Sequence, residues 1–280
     1  HLQNGPLTVP ATEFARLASF FTAPAYETLP VVSAELTAAR AADAVFDNWV
    51  HRNVSAHKVP GYAIVTLSLK QVGIAPGDIT AEQMEAVANL ADRFSFAELR
   101  TTHEQNIVLA DVKQSDLPAL YVELKALGFD TANIGFLTNI ICCPGGDYCS
   151  LANAKSIPIA EAIQRRYQDL EEVYDLGPLD LNISGCMNAC GHHHVGHIGI
   201  LGVDKKGAEF YQVSLGGSSG HDASIGDILG PSFEADDMAE VIEEVLNTYL
   251  DHRLPGETFL NTYRRVGIAV FKERVYANAN

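Results

Sequence analysis

All five cysteines of this 280-residue chain fall in two short glycine-rich segments, and this clustering limits how the chain can fold. The first segment carries Cys142, Cys143 and Cys149, and the second carries Cys186 and Cys190. Cys143 and Cys149 form a C-x5-C pair, whereas Cys186 and Cys190 form a C-x3-C pair. Buried structural thiols account for one or two cysteines but not for such a concentration. The fold is therefore expected to bring the two segments to one site.

Read as ligands, the two pairs supply four thiolates, which is the ligand set of a four-iron, four-sulfur (4Fe-4S) cluster. The neighbouring glycines suit that role, because a residue without a Cβ lets the backbone pass close to a cluster and donate N–H groups to its sulfurs. We interpret Cys142 as a non-ligand, although the spacing also permits a Cys142-x6-Cys149 pair.

Two other uses of the cysteines remain open at the level of sequence. Disulfides are disfavoured, because an odd number of cysteines in two tight clusters is poor cross-linking geometry for a chain long enough to build an apolar core. Structural zinc prefers C-x2-C to C-x4-C spacing, so the x5 interval counts against it. Four histidines follow Cys190 and leave a zinc site possible: His192, His193, His194 and His197. Because consecutive residues cannot share one face of a regular element, we interpret most of these histidines as structural.

Together the two cysteine motifs resemble the signature of the sirohaem-containing sulfite and nitrite reductases. The C-x5-C pair is followed 36 residues later by the run Gly185-Cys186-Met187-Asn188-Ala189-Cys190-Gly191. The resemblance extends to the run Arg-Thr-Thr-His-Glu-Gln-Asn at 100–106, to Asn139 and to residues 214–217. It covers roughly residues 50–275.

This resemblance implies two cofactors and a set of residues that bind them. The cluster would be held by Cys143, Cys149, Cys186 and Cys190, and Cys190 would also bridge to the iron of sirohaem at the catalytic centre. The resemblance further implies that seven residues lie beside the sirohaem, with Arg100 as a bidentate partner of a carboxylate: Arg100, Gln105, Asn106, Asn139, Asn188, Gly216 and Gly217.

Most of the sirohaem assignments also have a plainer interpretation. Arg100, Gln105 and Asn106 are also typical of a polar hairpin turn, and Asn188 is equally typical of a turn cap. The Gly-Gly-Ser-Ser-Gly-His run at 216–221 lacks the Lys-Ser/Thr of a phosphate-binding P-loop and is typical of a flexible loop after a strand.

The activity that the resemblance implies is the six-electron reduction of sulfite to sulfide or of nitrite to ammonia. Electrons would come from a ferredoxin or a flavoprotein reductase, and the residues do not distinguish the two small anionic substrates. The alternative from a different class is a zinc- or thiol-stabilised interaction domain without redox activity.

The charge balance constrains the partners. Nineteen basic and 35 acidic residues give a net charge of −16, which has the wrong sign for nucleic-acid binding and also for holding an anionic substrate and the carboxylates of sirohaem. In the family, most of the required cations come from the amino-terminal half of the polypeptide. We therefore expect this chain to be the carboxy-terminal half, with the amino-terminal half as its partner. Without a signal peptide or an apolar run of about 20 residues, no membrane partner and a cytoplasmic location are expected.

The hydrophobic patterning predicts an α+β fold in which a ferredoxin-like domain precedes a mixed-sheet domain. We divide the chain into a linker and helical lead-in (1–50), the ferredoxin-like domain (51–131) and the sirohaem- and cluster-binding domain (132–280). The strand and helix order expected from about residue 62 to residue 128 is β-α-β-β-α.

Apolar spacing also predicts individual helices. Residues 12–21 and 33–49 are each expected to form one helix packed on the remaining chain, and residues 259–271 a single late helix. Thr80 and Gln83 predict a capping box for a helix whose inward face is Met84, Val87, Ala88 and Ala91.

Overall fold

Two β-sheets backed by helices organise the chain, which is seen in a computed structural model that describes residues 8–168, 170 and 174–277. In this described part the helices are α1 (Ala11–Ala18), α2 (Ala34–Ala42), α3 (Ala44–Asn53), α4 (Ala81–Phe94), α5 (Leu117–Ala126), α6 (Ile157–Tyr167), α7 (Met238–His252), α8 (Phe259–Val266) and α9 (Ile268–Val275). The strands are β1 (Val54–Ala56), β2 (Tyr62–Leu67), β3 (Leu99–Thr101), β4 (Ile107–Lys113), β5 (Ile141–Cys142), β6 (Leu181–Ser184), β7 (Ile198–Lys205), β8 (Ala208–Leu215) and β9 (Asp227–Ile228).

The first sheet is antiparallel and has the strand order β1-β2-β4-β3. Its buried side chains join those of α2 to α5 in one apolar core, which includes Trp49, Leu67, Leu109 and Leu124. The predicted order β-α-β-β-α is present as β2-α4-β3-β4-α5. Strand β1 adds an edge strand to this predicted order.

The second sheet is mixed and has the order β5-β6-β7-β8-β9. Strands β5, β6 and β7 are parallel, whereas β8 and β9 run antiparallel to their neighbours. Helices α6 to α9 enclose a second apolar core against this sheet. The predicted α+β class, with a ferredoxin-like portion followed by a mixed sheet, is confirmed.

The start of α4 shows how local side-chain chemistry sets a helix boundary. The Thr80 hydroxyl accepts a hydrogen bond from the Gln83 amide at 3.2 Å, and the Gln83 side chain accepts one from the Thr80 amide at 3.0 Å. This is the predicted capping box. The predicted inward face is wrong at Met84 and Ala88, which are exposed, because the buried stripe follows Val87, Leu90 and Ala91.

Two helices predicted as continuous are divided. Asp43 separates α2 from α3, since its carboxylate accepts hydrogen bonds from the amides of Val45 and Phe46 and so starts a new helix. Gly267 separates α8 from α9 with a φ of 76°, a conformation that interrupts helical backbone.

The predicted packing of the first helix is also wrong. Helix α1 buries none of its residues, and Phe14 leaves 67% of its surface exposed. No helix in the described ranges is long and apolar enough to cross a membrane.

Buried polar groups, rather than apolar side chains alone, join the two cores. The Ser68 hydroxyl donates to Asn133 Oδ1 at 2.6 Å, and Asn106 Nδ2 donates to Asn139 Oδ1 at 3.1 Å. We call this set the polar seam; it consists of Ser68, Lys70, Gln105, Asn106, Asn133, Asn139 and the backbone of Cys142.

Candidate functional site

The two cysteine segments leave the second sheet at the same edge. Cys143 directly follows β5, and Cys186 comes two residues after β6. Because β5 and β6 are parallel neighbours, with Cys142 paired to Ile183, their carboxyl ends lie side by side. The crevice beyond the carboxyl ends of parallel strands is where such sheets bind ligands.

Gly185 is the point where the two segments touch. Its amide donates a hydrogen bond to Cys143 Sγ at 3.0 Å, and its carbonyl accepts from the amides of Asn153 and Ala154 at 2.8 and 3.1 Å. A Cβ at this position would lie 2.6 Å from the Ala154 carbonyl oxygen and 2.7 Å from Gly145 Cα. Only glycine fits between the two cysteine segments.

The four proposed ligands differ in exposure. Cys143 and Cys186 are each 8% exposed, Cys149 is half-buried and Cys190 is exposed. Two of the four cysteines therefore lie toward the protein interior, and Cys190 lies at the surface, where a second group can reach its sulfur.

Cys142 faces away from this arrangement. It is buried in the second core, and its thiol donates to the carbonyl of Cys143 at 3.2 Å. Burial raises the pKa of the Cys142 thiol, which disfavours the thiolate that a metal ligand requires. Its surroundings support its interpretation as a non-ligand.

The segment from Cys186 to Gly191 is a tight turn that packs on the end of β6. Gly191 donates its amide to the Ser184 hydroxyl at 3.1 Å, and a Cβ on Gly191 would overlap the Ile183 carbonyl oxygen. Ala189 has a φ of 57°. Asn188 is exposed on this turn, and its side chain forms no hydrogen bond within the described chain.

The donor set and its surroundings fit a 4Fe-4S cluster. All five cysteines are free thiols. Across the described residues, no three His, Cys, Asp or Glu side chains converge closely enough to hold a single metal ion. A cluster places each thiolate on a different iron, so its cysteines surround it rather than meet at one point. The sulfur-directed amide of Gly185 and the close backbone approach at Gly191 suit such a group.

The histidines after Cys190 have structural surroundings. Burial lowers the pKa of His193 to about 4, which keeps its imidazole neutral near pH 7. The rings of His193 and His194 contact each other edge to face at 5.3 Å. His197 Nδ1 accepts a hydrogen bond from the Asp180 amide at 3.0 Å.

A cleft opens beside this turn, between the first and second sheets. Its volume is about 170 Å³, below the roughly 300–1,000 Å³ of a complete small-molecule pocket. Asn182, in its lining, donates to the His192 carbonyl at 3.1 Å but leaves a buried oxygen, Oδ1, without a partner. The other lining residues are His103, Glu104, Asn139, Ile141, Asp180, Val195 and Ser219.

The cleft offers amide and hydroxyl groups but lacks Lys and Arg in its described lining. Its two carboxyl-bearing side chains are Glu104 and Asp180. These residues fit one wall of a site for an anionic macrocycle; the neutralising cations must come from elsewhere.

The predicted sirohaem residues are dispersed in four places, one of which is the turn that carries Asn188. Arg100 is exposed on the edge strand β3, and its Nε donates to Glu98 at 2.7 Å. Gly216 and Gly217 are buried after β8, where a Cβ on Gly217 would lie 2.5 Å from the Gly196 carbonyl oxygen.

Gln105, Asn106 and Asn139 lie together in the polar seam. The Gln105 side chain donates to the carbonyl of Cys142 at 2.7 Å and accepts from its amide at 2.9 Å. Asn106 joins Asn139 to the amide of Leu69. These side chains fix the strand that leads to Cys143.

Sequence reasoning did not identify Lys70, Asn182 or Ser156 as parts of the site. Ser156 places its hydroxyl 3.6 Å from Cys143 Sγ. Lys70 and Asn182 are buried. A polar residue within an otherwise apolar strand pattern, as at Asn182, is the signal that was available, because such residues are seldom buried without a role.

Comparisons with known proteins agree with this geometry. Residues 135–280 match the family described as "Nitrite and sulphite reductase 4Fe-4S domain", and residues 61–127 match "Nitrite/Sulfite reductase ferredoxin-like half domain". The chain is 31% identical over 218 residues to sulfite reductase (ferredoxin) 2 of Mycolicibacterium paratuberculosis, covering 73% of this chain and 39% of that protein.

Two further relatives extend the comparison. Ferredoxin–nitrite reductase of Synechococcus elongatus is 31% identical over 175 residues, which are 61% of this chain and 34% of that protein. The structure of the NirA protein of Mycobacterium tuberculosis superposes with a TM-score of 0.65 at 27% identity, covering 79% of this chain and 41% of that one. The chain thus spans about two fifths or less of the length of these relatives.

Proposed function

Because the chain belongs to the nitrite and sulphite reductase 4Fe-4S domain family, we propose that it is the cluster- and sirohaem-binding portion of a sulfite or nitrite reductase. The observation that carries the proposal is the contact of two cysteine segments through Gly185, with its amide directed at Cys143 Sγ. Relatives named for sulfite and for nitrite share the same 31% identity, so the substrate class is a small oxyanion of sulfur or nitrogen.

In this proposal Cys143, Cys149, Cys186 and Cys190 hold the cluster and Cys142 does not. Cys190 would be the catalytic residue, because its exposed side chain would hold the sirohaem as well as the cluster. When bound, the cluster delivers electrons and the sirohaem supplies the iron at which the substrate is reduced in six one-electron steps.

Neighbouring residues tune and shape the site. The Gly185 amide withdraws electron density from the Cys143 sulfur through its hydrogen bond, which favours the reduced state. The second core, including Ile183 and Ile200, excludes water from the inner side.

The sirohaem side of the proposal uses groups that still have free hydrogen-bonding capacity. Asn188 is exposed, and Asn182 in the cleft lining has an unpaired Oδ1. Gly216 and Gly217 are packed against the Tyr263 ring and the Gly196 carbonyl, so they would offer the cofactor backbone groups only. Arg100 would exchange Glu98 for a cofactor carboxylate. Gln105, Asn106 and Asn139 act indirectly, by positioning the strand before Cys143.

The remaining cations belong to a partner in this proposal. A net charge of −16 and an acidic cleft do not neutralise an anionic macrocycle and an anionic substrate. The amino-terminal half of the same enzyme would supply the Arg and Lys side chains. A ferredoxin, as in the names of the relatives, or a flavoprotein reductase would supply electrons in the cytoplasm.

Anaerobic reconstitution with iron and sulfide tests the proposal. The chain should take up about four irons and gain the broad visible absorption of a cluster. Serine in place of Cys143, Cys149, Cys186 or Cys190 should each reduce the iron content, whereas Cys142→Ser should not, because that thiol lies in the core. Full iron retention in Cys186→Ser contradicts the ligand assignment, and a colourless chain that binds one zinc supports the interaction-domain alternative instead.

A further inference from the structure

Lys70 is a cation in an unusual position. It follows β2, is fully buried, and its Nζ donates to Gln105 Oε1 at 3.1 Å. Among the described residues it has no ion-pair partner, and the Glu104 carboxyl acts on it only at longer range. Its backbone carbonyl accepts from Gln164 Nε2 at 3.4 Å, which fixes the chain on both sides of the seam.

Such a group is costly to bury. An ammonium removed from water without a counter-charge loses much of its solvation free energy, and lysine is almost never fully buried unless it is paired. Burial lowers the pKa of Lys70 to about 8, so it is still protonated at neutral pH. The fold therefore maintains a positive charge in its interior.

The polar seam links the Lys70 ammonium to the first cysteine segment. Gln105 Oε1 accepts hydrogen bonds from both Lys70 Nζ and the Cys142 amide, and Cys142 immediately precedes Cys143. The ammonium is thus two hydrogen bonds from the backbone that carries the first cluster ligand, within a low-dielectric interior where charges act strongly.

We propose that Lys70 is a positioning residue of the cluster site whose buried ammonium offsets the negative charge of the cluster thiolates and favours the reduced state. This inference rests on the proposed function. A cluster gains one negative charge on reduction, so a fixed positive charge nearby stabilises the reduced form more than the oxidised form. The electron itself comes from the ferredoxin or flavoprotein donor.

Lys155 provides a control lysine beside the first cysteine segment. Its side chain is 53% exposed and lies 3.6 Å from Asp147, in the loop between Cys143 and Cys149. Its charge is screened by water and partly neutralised, so its removal should have little effect on the cluster.

The test is a redox titration of the iron-loaded chain, followed by visible and electron paramagnetic resonance spectra. Compared with wild type, Lys70→Met and Lys70→Gln should each lower the ratio of reduced to oxidised cluster about tenfold at a fixed solution potential, equivalent to about 59 mV for one electron. Lys155→Met should change the ratio less than twofold. Iron content should stay unchanged, and the melting temperature of the iron-free chain should stay equal or rise, because methionine fills a similar volume without a buried charge.

The two substitutions distinguish the effect of the charge from that of the hydrogen bond, because glutamine removes only the charge and methionine removes both. If Lys70→Gln keeps the wild-type ratio while Lys70→Met lowers it, the hydrogen bond to Gln105 matters and the charge assignment is overturned. Unchanged ratios in both variants at full iron content also overturn it. Failure of the wild-type chain to take up iron contradicts the proposed function and this inference with it, whereas full iron uptake with unchanged ratios overturns the role of Lys70 alone.

Discussion

Substitution of Gly185 by alanine tests the contact on which the site depends. Gly185 does not have a positive φ, so alanine can adopt its backbone conformation and the effect is purely steric. The new methyl group would lie 2.6 Å from the Ala154 carbonyl oxygen and 2.7 Å from Gly145 Cα, both of which are backbone atoms that cannot rotate away. The two cysteine segments must therefore move apart by about 0.7 Å to reach ordinary contact.

The free-energy cost follows from the contacts that this movement disturbs. Overpacking of a tight site costs about 1–3 kcal/mol. Three hydrogen bonds lengthen, from Gly185 N to Cys143 Sγ and from the amides of Asn153 and Ala154 to the Gly185 carbonyl, each worth about 0.5–1.5 kcal/mol when intact. With partial relaxation we expect a loss of about 2–4 kcal/mol, and a decrease in melting temperature of roughly 5–15 °C for a chain of this size.

Calorimetry of the iron-free chain and iron analysis after reconstitution measure the two effects. Gly185→Ala should lower both the melting temperature and the iron content. Gly146→Ala is the matched control in the first cysteine segment, because its methyl group would meet its nearest atoms at 3.4 Å, an ordinary contact. A Gly185→Ala chain with wild-type stability and about four irons would refute the argument that the segments touch here.

Two further substitutions test the cofactor side and the pH dependence. Asn188→Ala in the complete enzyme should weaken sirohaem binding by about 1–3 kcal/mol, measured by cofactor occupancy, without changing the melting temperature, because this exposed side chain forms no hydrogen bond within the described chain; a lower melting temperature at unchanged occupancy would show a structural cap instead. A hydrogen bond from Arg265 lowers the pKa of Glu257 to about 2. Since the folded pKa is below the unfolded value of about 4.3, the stabilisation is present above pH 4.3 and is lost as the pH falls through 2. The melting temperatures of wild type and Glu257→Gln should therefore converge from pH 5 to pH 2, and parallel curves would contradict this.

Local signals in the sequence predicted much of the fold. The Thr80 and Gln83 capping box depends on residues three positions apart, and the inward face of α7 follows from helical spacing. Its apolar residues at that spacing are all buried: Met238, Val241, Ile242, Val245 and Leu246. Gly267 is a glycine within a helical pattern and so was a signal for the division between α8 and α9. The apolar spacing continues on both sides of it, however, and therefore predicted one helix.

The polar seam was not predictable from such signals. Asn106 and Asn139 are 33 residues apart, and Ser68 and Asn133 are 65 apart, so no local pattern links them. The burial of Lys70 likewise results from tertiary packing that opposes the usual preference of lysine for water. The Cys190 ligand role, the sirohaem contacts and the domain boundaries remain predictions.

The polar seam also limits how the portions that contain the first and the second sheet can be exchanged between relatives during evolution. A buried amide that loses its partner pays its full desolvation cost, whereas replacing both partners by apolar groups can be nearly neutral. Asn106 and Asn139 are therefore expected to change together or not at all. A chimera that joins the first sheet of this chain to the second sheet of a relative would misplace Cys143 unless the amides of both sides came from the same parent.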